Sequence, residues 1–266
     1  KRPPSVRLTI SIVLYQAEPG LFAATLDSLV LACTQAGLEP GLVLVDNGGS
    51  DEALAGLQLP DTWPVKILRG QGNVGFGAGH NLALDHASDF HLILNPDLEL
   101  APDALLHAQA FMEAHDECGL LVPSARWGDG RVQYLCKRMP TVFDLFLRGF
   151  APTWLKALLR HRLERYEMQD LISDRIVWDP PLVSGCCMLF RTPVLLSLKG
   201  FDERFFLYFE DFDLSLRASK ITRIAYNPAF RVIHHGGYAA RKGLRHVDLF
   251  VRSAVTFFKK HGWRWC

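Results

Sequence analysis

Three glycines, Gly70, Gly72 and Gly75, follow the apolar run from Val65 to Leu68 in the order G-x-G-x-x-G. This spacing is typical of the loop that binds the diphosphate of a dinucleotide, because glycines allow a tight turn and a close approach of backbone to phosphate. Asp97 lies about 20 residues further along, where such a fold places the acid that binds the ribose. The pattern makes a nicotinamide-dependent oxidoreductase the first candidate.

The surrounding sequence weakens this dinucleotide hypothesis. The fingerprint normally occupies the first strand-to-helix turn of the fold, whereas a complete strand-helix-strand unit here precedes Val65. Gly77 and Gly79 also lie in the segment that follows, where a dinucleotide-binding helix favours strong helix formers. A lone G-x-G-x-x-G is a weak signal, so other residues must decide the function.

Carboxylates follow two of the strand-like runs. Asp46 and Asp51 lie in "VDNGGSD", directly after Val45, and Asp97 lies in "NPD", directly after Leu94. Carboxylate oxygens are the ligands that Mg²⁺ and Mn²⁺ prefer, usually one or two of them together with substrate phosphates. Asp97 is therefore a candidate metal ligand, although it could instead be a turn acid that caps the next helix.

A third group of acids stands in "FEDFDLSLR" at a predicted helix start, namely Glu210, Asp211 and Asp213. Three carboxylates this close repel one another unless the helix N-terminus, nearby cations or a function compensates. Asp213 and Arg217 are four residues apart and can pair along the helix. The group could supply a general base, or it could serve only the helix dipole.

The elements that position these acids are predicted by the hydrophobic pattern of the first half. Short apolar runs alternate with segments of helical spacing, which predicts a mostly parallel sheet covered by helices on both faces. Ligands of such sheets bind beyond the carboxyl ends of the strands, where the acids lie. The predicted strands cover residues 8–15, 42–45, 65–68 and 91–94, and the predicted helices cover residues 21–37, 78–87 and 103–115.

Composition limits the remaining possibilities. The chain has 266 residues, of which 49% are hydrophobic and 21% charged, enough for a sizeable core. Its net charge of +1 gives no electrostatic basis for nucleic-acid binding. The six cysteines form no C-x-x-C pair, and no apolar run approaches the roughly 20 residues that span a bilayer. We therefore expect a cytoplasmic protein with reduced cysteines.

Several long motifs occur together in one order: "LVLVDNGGSD", "GNVGFGAGHN", "LILNPD", "VSGCCMLFR", "GFDERFFLYFEDFDLSLR" and "VIHHGG". In this order the sequence resembles the family-two glycosyltransferases with a GT-A fold, and within them most closely the bacterial rhamnosyltransferases. The resemblance covers nearly the whole chain. Two positions depart from the family pattern: Gly49 replaces the usual serine of D-N-G-S-x-D, and Gln16 replaces the asparagine that commonly follows Tyr15.

The resemblance implies a role for each motif in an inverting, metal-dependent sugar transfer. Asp97 would be the last acid of the metal motif and His234, with His235 as the less favoured neighbour, would be the second protein ligand for Mg²⁺ or Mn²⁺. Asp211 would be the general base and Glu210 would bind the acceptor. The residues that would contact the donor nucleotide or fix the loop beside it are Tyr15, Asp46, Asn73, Gly75, Asn81 and Asn95.

The same resemblance implies the substrates and the organisation of the chain. We expect a single GT-A domain over 1–266, with a nucleotide-sugar half (1–123) and an acceptor half (124–266) that includes C-terminal helices. The favoured donor is dTDP-rhamnose, with a UDP-linked sugar as the alternative, and the acceptor is a saccharide or a polyprenyl-linked sugar of cell-surface polysaccharide synthesis. A non-catalytic sugar-binding protein on the same fold is a further alternative.

Residues 141–166 differ in character from the rest of the chain, because they mix aromatic and aliphatic residues with arginine and lysine. A basic amphipathic segment of this kind can lie on an anionic membrane surface or bind a lipid-linked acceptor. It can equally be a helix packed on the catalytic domain with a solvated basic face. Under the first interpretation the protein would contact the inner face of the cell membrane peripherally.

Overall fold

The computed structural model describes residues 7–172, 174–236 and 243–266. Its strands and helices alternate through the first half, as the hydrophobic pattern predicts. The strands are β1 (Leu8–Leu14), β2 (Gly41–Asp46), β3 (Val65–Leu68), β4 (Phe90–Leu94), β5 (Leu98–Leu100), β6 (Cys118–Trp127), β7 (Val132–Gln133), β8 (Cys136–Lys137), β9 (Val177–Trp178), β10 (Leu182–Val183), β11 (Cys187–Arg191) and β12 (Arg223–His234).

Ten of these strands form the main sheet, around which the helices pack, and β8 and β10 form a separate two-stranded sheet. The helices are α1 (Pro19–Ala36), α2 (Asp51–Ala55), α3 (Phe76–Leu82), α4 (Ala104–Ala114), α5 (Val142–Gly149), α6 (Thr153–Leu158), α7 (Arg160–Tyr166), α8 (Thr192–Ser197), α9 (Glu210–Ala218) and α10 (Leu244–His261). The helix predicted over residues 78–87 ends earlier than expected, at Leu82, and a 3-10 turn from Leu84 to His86 follows it.

The main sheet has the order β3-β2-β1-β4-β11-β6-β12-β5. Strands β3, β2, β1 and β4 are parallel, and so are β6 and β12, whereas β11 and β5 run antiparallel to their neighbours. The predicted mostly parallel sheet flanked by helices is thus confirmed. The two acid-bearing strand ends of β2 and β4 flank β1 at the same edge, as parallel strands require.

The central strands are apolar because helices cover both of their faces. All seven residues of β1 are buried, including Ser11, and a large cluster joins β1, β2 and β4 to α1 and α4. A second cluster packs β6, β11 and β12 against α8 and α9. This continuous burial matches the unbroken apolar runs of a sheet with two covered faces.

The glycines after β3 serve chain packing as well as loop geometry. Gly75 has φ +93° and its Cα lies against the carbonyl oxygen of Phe206, which accepts a hydrogen bond of 3.1 Å from Phe76 N–H. A Cβ at Gly77 would lie 2.7 Å from Cβ of Phe201. Gly70, by contrast, has φ +96° and open space around its Cα. The glycine-rich stretch therefore joins the first half of the chain to the loop that precedes α9.

A polar chain of three side chains lies inside this apolar core. Ser11 Oγ is 2.8 Å from His80 Nδ1 and 2.8 Å from His91 Nε2, and all three residues are buried. Burial lowers the pKa of His91 to about 4, and burial together with His91 lowers the pKa of His80 well below its usual value. Both imidazoles are therefore neutral in the folded protein at neutral pH.

This neutrality predicts a loss of stability in mild acid. Unfolded His91 titrates near 6.5 and folded His91 near 4, so the unfolded chain binds the extra proton between these values. The free energy of unfolding should fall as the pH drops from about 6.5 to about 4, by roughly 3 kcal/mol from His91 alone. Urea unfolding of wild type and His91→Gln over this range tests it.

The His91→Gln variant keeps an amide partner for Ser11 and shares every other titrating group with the wild type. The pH dependence that is due to the carboxylates therefore cancels in the difference between the two proteins. Parallel stability curves for the two proteins would show that His91 is not buried as a neutral imidazole.

Residues 141–166 form the three short helices α5, α6 and α7. The first of them begins with a capping box, in which Thr141 Oγ accepts from Asp144 N–H and the Asp144 carboxylate accepts from Thr141 N–H. Arg162 lies 2.5 Å from Asp144 and stacks over Phe143, and Arg160 lies 2.5 Å from Glu164. Two of the arginines that define the basic face are thus neutralised by acids within the segment.

The positive charge that this segment can present to a membrane is therefore smaller than the sequence indicates. Arg162 is a structural group that holds α7 to the start of α5, and its replacement would disturb that packing. Across the described residues, no helix is both long enough and apolar enough to cross a bilayer. All six cysteines are unpaired thiols, five of them buried, and Cys266 is exposed.

Candidate active site

Asp97 and His234 meet where β12 ends beside the β4–β5 turn. His234 Nε2 is 3.3 Å from Asp97 Oδ1, and the backbone N–H of His235 donates to the Asp97 carbonyl at 3.0 Å. The backbone at Gly236 passes so close to Asp97 Oδ2 that any Cβ there would collide with it. Helix α4 begins at Ala104 after Asp103, so Asp97 does not cap that helix.

The imidazole of His234 is held from its other side. Its Nδ1 lies 3.1 Å from Gln133 Oε1 on β7, and its ring is stacked with Trp127 at a centroid distance of 6.1 Å. Gln133 Nε2 lies 3.0 Å from the same Nδ1, so the amide can pair with either tautomer of the ring. The tautomer that donates from Nδ1 to Oε1 has the lone pair of Nε2 directed toward Asp97, which is the usual arrangement for a metal-binding histidine. His235 instead pairs with Glu99 at 2.6 Å, so it faces away from this site.

These residues fit a divalent ion that completes its shell with substrate oxygens. The 3.3 Å between Asp97 Oδ1 and His234 Nε2 is close to the roughly 3 Å between adjacent ligands of an octahedral ion. Asn95 stands two positions before Asp97, and its Oδ1 is buried with no hydrogen-bond partner within the described structure. No three His, Cys, Asp or Glu side chains of the described residues cluster as a complete metal site.

At the end of β2, Asp46 is ordered by contacts with the glycine loop. Arg69 donates to Asp46 Oδ2 at 3.0 Å and to Asp51 Oδ1 at 3.0 Å, and Gln71 donates to the Asp46 carbonyl at 2.9 Å. Asp46 also accepts from Gly48 N–H at 2.9 Å. Tyr15 is half-exposed at the neighbouring end of β1. Together these residues form a polar surface beyond the strand ends.

Gly49 and Gln16, the two residues that depart from the family pattern, lie against each other on this polar surface. A Cβ at Gly49 would be 3.0 Å from Cγ of Gln16, and both residues have left-handed backbones, with φ +73° and +48°. Gln16 N–H donates to Gly48 O at 2.9 Å. Gln16 therefore packs tightly against Gly49, and the left-handed backbone at Gly49 favours glycine over serine.

The two asparagines of the glycine loop fix chain segments in place. Asn73 Oδ1 accepts from Gly75 N–H at 3.1 Å and lies 3.4 Å from Asn47 Nδ2. The Asn81 amide bonds both the N–H and the carbonyl of Phe201, at 2.8 and 2.9 Å. The sequence leaves two roles open for these asparagines, contact with the donor nucleotide and fixing the loop beside it. Their contacts match the second role.

The acidic group at the start of α9 is divided between two functions. Asp211 Oδ2 accepts from Gly185 N–H at 2.8 Å and Oδ1 accepts from Phe212 N–H at 2.8 Å, while part of its surface stays exposed. Burial raises the pKa of Asp211, although both of these backbone donors lower it. A base with a raised pKa is better matched to proton abstraction near neutral pH.

Glu210 differs from its neighbour because it is fully enclosed. Its Oε2 has no hydrogen-bond partner among the described residues, and burial followed by the charge of Asp211 raises its pKa well above the usual value. Two adjacent carboxyls cannot both ionise at low cost, so Glu210 holds the proton and Asp211 carries the charge.

The turn before these acids is strained. Tyr208 and Phe209 have φ +73° and +66°, and consecutive left-handed conformations are costly for residues with large side chains. The Tyr208 hydroxyl is 2.9 Å from His246 Nδ1, and Phe209 packs on Phe250 and Phe257 of α10. The aromatics near Asp211 therefore include core residues that fasten α9 to α10.

Asp213 is the structural member of the acidic group. It is completely buried and contacts three basic side chains, Arg217 at 2.7 Å, Lys260 at 2.6 Å and His261 at 2.8 Å. Burial raises its pKa, but hydrogen bonds from these three partners outweigh burial and hold the pKa below its usual value. Asp213 thus ties α9 to α10 as an ionised carboxylate.

The sequence matches a family model described as Glycosyl transferase family 2 over residues 9–196. The chain belongs to this family. It is 29% identical over 96% of its length to N-acetylglucosaminyl-diphospho-decaprenol L-rhamnosyltransferase of Mycobacterium tuberculosis, covering 86% of that protein. It is 28% identical to rhamnosyltransferase WbbL of Escherichia coli K12, over 64% of each chain. The predicted resemblance to bacterial rhamnosyltransferases is thereby confirmed. The alternative hypothesis of a nicotinamide-dependent oxidoreductase was wrong.

Solved structures confirm the GT-A fold of this glycosyltransferase. S. aureus TarS 1-349 in complex with UDP-GlcNAc superposes with a TM-score of 0.60 at 17% identity, over 95% of this chain and 67% of that one. The present chain spans only 40% of the longer crystallised TarS. The mannosyltransferase PcManGT of Pyrobaculum calidifontis, in complex with GDP-Man and Mn²⁺, has a TM-score of 0.61 at 17% identity, over 97% and 68%.

The glycosyltransferase also has site residues that the motifs did not indicate. Gln133 orients His234, and Arg69 orders Asp46, yet neither stands in a recognisable motif. The pairing of β7 with β6, and of β2 with β3, brings them into place. Their only signal in the sequence is a polar residue next to a strand.

Proposed function

We propose that this glycosyltransferase transfers a sugar, favoured to be L-rhamnose from dTDP-rhamnose, with inversion to a sugar on a lipid-linked acceptor. The observation that carries the proposal is that two acidic centres, the Asp97–His234 pair and Asp211, both lie close enough to Cys186 that, after burial, their charges raise the pKa of its thiol. The rhamnosyltransferase relatives support the donor, and the name of the mycobacterial relative supports a lipid-diphosphate acceptor. The proposed nucleotide-sugar half of the chain is 1–123 and the acceptor half is 124–266.

Asp211 supplies the proton acceptor in this mechanism. Its carboxylate takes the proton of the acceptor hydroxyl as that oxygen bonds to the anomeric carbon, and the bond from this carbon to the donor phosphate oxygen breaks. The nucleoside diphosphate leaves with the electron pair. One displacement without an enzyme nucleophile inverts the anomeric configuration. Glu210 is enclosed beside Asp211, so it would orient the acceptor through its effect on Asp211 and not by direct contact.

The donor is held at the strand ends. Tyr15 and Asp46 contact the base or the ribose, and the loop that Asn73, Gly75 and Asn81 hold in place covers the nucleotide. Asn95, Asp97 and His234 would hold Mg²⁺ or Mn²⁺, which when bound offsets the negative charge that develops on the departing diphosphate.

The direct test is a screen of nucleotide sugars for release of nucleoside diphosphate in the presence of an N-acetylglucosaminyl-diphospho-prenol. We expect dTDP-rhamnose to give product, with the anomeric configuration inverted. A higher kcat/KM with a UDP-linked sugar would replace the donor but keep the reaction. Absence of transfer from every donor, with binding of the nucleotides intact, would favour a non-catalytic sugar-binding protein.

Replacing Asp97 by alanine is expected to weaken nucleotide and metal together. The Kd of dTDP in the presence of Mn²⁺ should rise by on the order of tenfold or more, because Asp97 is the charged ligand of the pair. Isothermal titration with and without Mn²⁺ measures this without any turnover. His234→Ala should act in the same direction.

Glu99→Gln and His235→Ala are matched controls for the metal site. Both residues lie one or two positions from the proposed ligands and pair with each other. We expect the Mn²⁺ dependence of dTDP binding to be unchanged in both. If His235→Ala removed the Mn²⁺ effect and His234→Ala did not, the ligand would be the neighbouring histidine.

A further inference from the structure

A cationic cluster lies beside Asp211, apart from the donor site. Lys137 is buried, with Nζ 3.4 Å from Glu167 Oε1, and Arg148 at the end of α5 lies 3.6 Å from the same oxygen. Two cations therefore share one carboxylate. Burial, followed by the like charge of Arg148, lowers the pKa of Lys137 to about 8, while Glu167 acts in the opposite direction.

The cluster is close to the proposed base. The charge of Arg148 lowers the pKa of Asp211, and the charges of Arg148, Glu167 and Asp211 all act on Tyr166. Tyr166 is buried and its hydroxyl has no hydrogen-bond partner among the described residues. The side chain of Arg148 is about half-exposed, so its guanidinium is available to a ligand from solvent.

Exposed apolar side chains lie on α5, which carries Arg148, on the turn after it, and on α6. Phe146 and Phe150 are about half-exposed, and Trp154 and Leu158 are exposed by 67% and 73%. Lys156 Nζ donates to the Arg148 carbonyl at 2.9 Å, which connects α6 to the end of α5. Four large apolar side chains this exposed on one segment are unusual for a surface that faces only water.

We propose that Arg148, with the buried Lys137 behind it, binds the diphosphate of a lipid-linked acceptor, and that the exposed apolar row Phe146, Phe150, Trp154 and Leu158 carries its hydrocarbon chain. The inference rests on the proposed function and adds the part of the site that recognises the acceptor beyond its sugar. Asp211, the cations and the apolar row follow one another in the same order as the parts of such a substrate. Asp211 would contact the sugar hydroxyl, the cations would bind the diphosphate one sugar away, and the apolar row would contact the lipid chain.

The donor diphosphate is a less suitable ligand for the cluster. It belongs with Asp97 and His234 at the ends of β4 and β12, whereas Arg148 acts on the base that faces the acceptor. An arginine also suits a diphosphate well, because its planar guanidinium donates two parallel hydrogen bonds to phosphate oxygens. The negative charge of the diphosphate would offset the excess positive charge of the Lys137–Arg148 cluster.

The test compares two acceptors that differ in the diphosphate. One is N-acetylglucosaminyl-diphospho-prenol in detergent, and the other is octyl N-acetylglucosaminide, which has an alkyl chain but no phosphate. For Arg148→Gln we expect the ratio of kcat/KM for the first acceptor to that for the second to fall by about tenfold or more. The KM for the nucleotide sugar should stay unchanged.

Using the ratio removes the effect of Arg148 on Asp211, because both acceptors depend on the same base. Arg160→Gln is the matched control, since Arg160 is exposed on α7 and pairs with Glu164, and its ratio should equal that of the wild type. An equal loss for both acceptors in Arg148→Gln, or a raised donor KM, would overturn the inference. A wild type that uses neither acceptor with any nucleotide sugar would overturn the proposed function as well.

A second variant tests the apolar row. Trp154→Ser with Leu158→Ser should abolish the preference of the wild type for a long prenyl chain over a short one, because burial of chain carbons on this row would be lost. Leu106→Ser, an exposed leucine on α4, is the control and should keep the preference. An unchanged preference in the double variant would show that the lipid does not lie on α6.

Discussion

The Asp211→Asn variant is expected to lose at least about 10²-fold in kcat while its affinity for the donor nucleotide stays within about twofold of the wild type, as removal of a positioned base implies. The amide keeps the size of the side chain and one oxygen that can accept from Gly185 or Phe212 N–H. It cannot take a proton from the acceptor. The loss should therefore appear in the chemical step and not in substrate binding.

The pH profile gives an independent measure of the same role. Because the pKa of Asp211 is raised, the base becomes protonated above the usual value of 3.8 as the pH falls. The kcat/KM of the wild type should decrease on acidification through this raised pKa, and the residual activity of Asp211→Asn should lack that limb. A variant with more than about a tenth of wild-type turnover would contradict the assignment.

Glu210→Gln is the matched control for the base. Burial, followed by the charge of Asp211, raises the pKa of Glu210 well above its usual value, and the glutamine is a close replacement for the neutral form that this favours. We expect kcat to change far less than in Asp211→Asn, and the acid limb of the profile to remain. If Glu210→Gln were the more damaging of the two, the roles of the two carboxyls would be exchanged.

The Asp213→Asn variant should show the largest loss of stability, with the free energy of unfolding lower by about 3–5 kcal/mol, as expected for breaking a buried ion pair. Asp213 is completely buried against Arg217, Lys260 and His261. The asparagine would leave these cations without their shared carboxylate. Urea unfolding at pH 7 measures the effect.

Asp248→Asn is the control for that measurement. Asp248 pairs with Arg252 on the same helix α10, but both side chains are exposed, so the variant should lie within about 0.5 kcal/mol of wild type. A loss below about 1 kcal/mol in Asp213→Asn would show that the pairing of α9 with α10 does not depend on this carboxylate. Because α9 carries Asp211, we also expect kcat of Asp213→Asn to fall, though less than in Asp211→Asn.

The sequence by itself determined the class of fold and the candidate acids. Unbroken apolar runs such as β1 and β4 belong to strands covered on both faces, so their pattern predicts a mostly parallel sheet without any tertiary information. The carboxyl ends of such strands meet at one edge, which places Asp46 and Asp97 in a common site. The motif around Asp211 likewise predicts its place at a helix start.

Only the tertiary structure decided what each polar residue does. Asp211 and Asp213 stand two positions apart in one motif, yet one accepts only backbone N–H groups and remains partly open while the other is enclosed by three basic side chains. Two of them, Lys260 and His261, come from α10, far along the chain. Local sequence cannot specify such partners, because the pKa and role of a carboxyl depend on burial and on charges brought by packing.

The glycine-rich loop and the basic segment show the same limit. The pattern G-x-G-x-x-G describes only backbone freedom, whereas the contact of Gly75 with Phe206 and of Gly77 with Phe201 depends on where another loop packs. In residues 141–166 the sequence shows arginines but not that Arg162 is paired with the buried Asp144. Charge and spacing are local properties, while solvent exposure and pairing arise only when distant segments pack together. The roles of the glycine-rich loop and of the basic segment therefore depend on the fold.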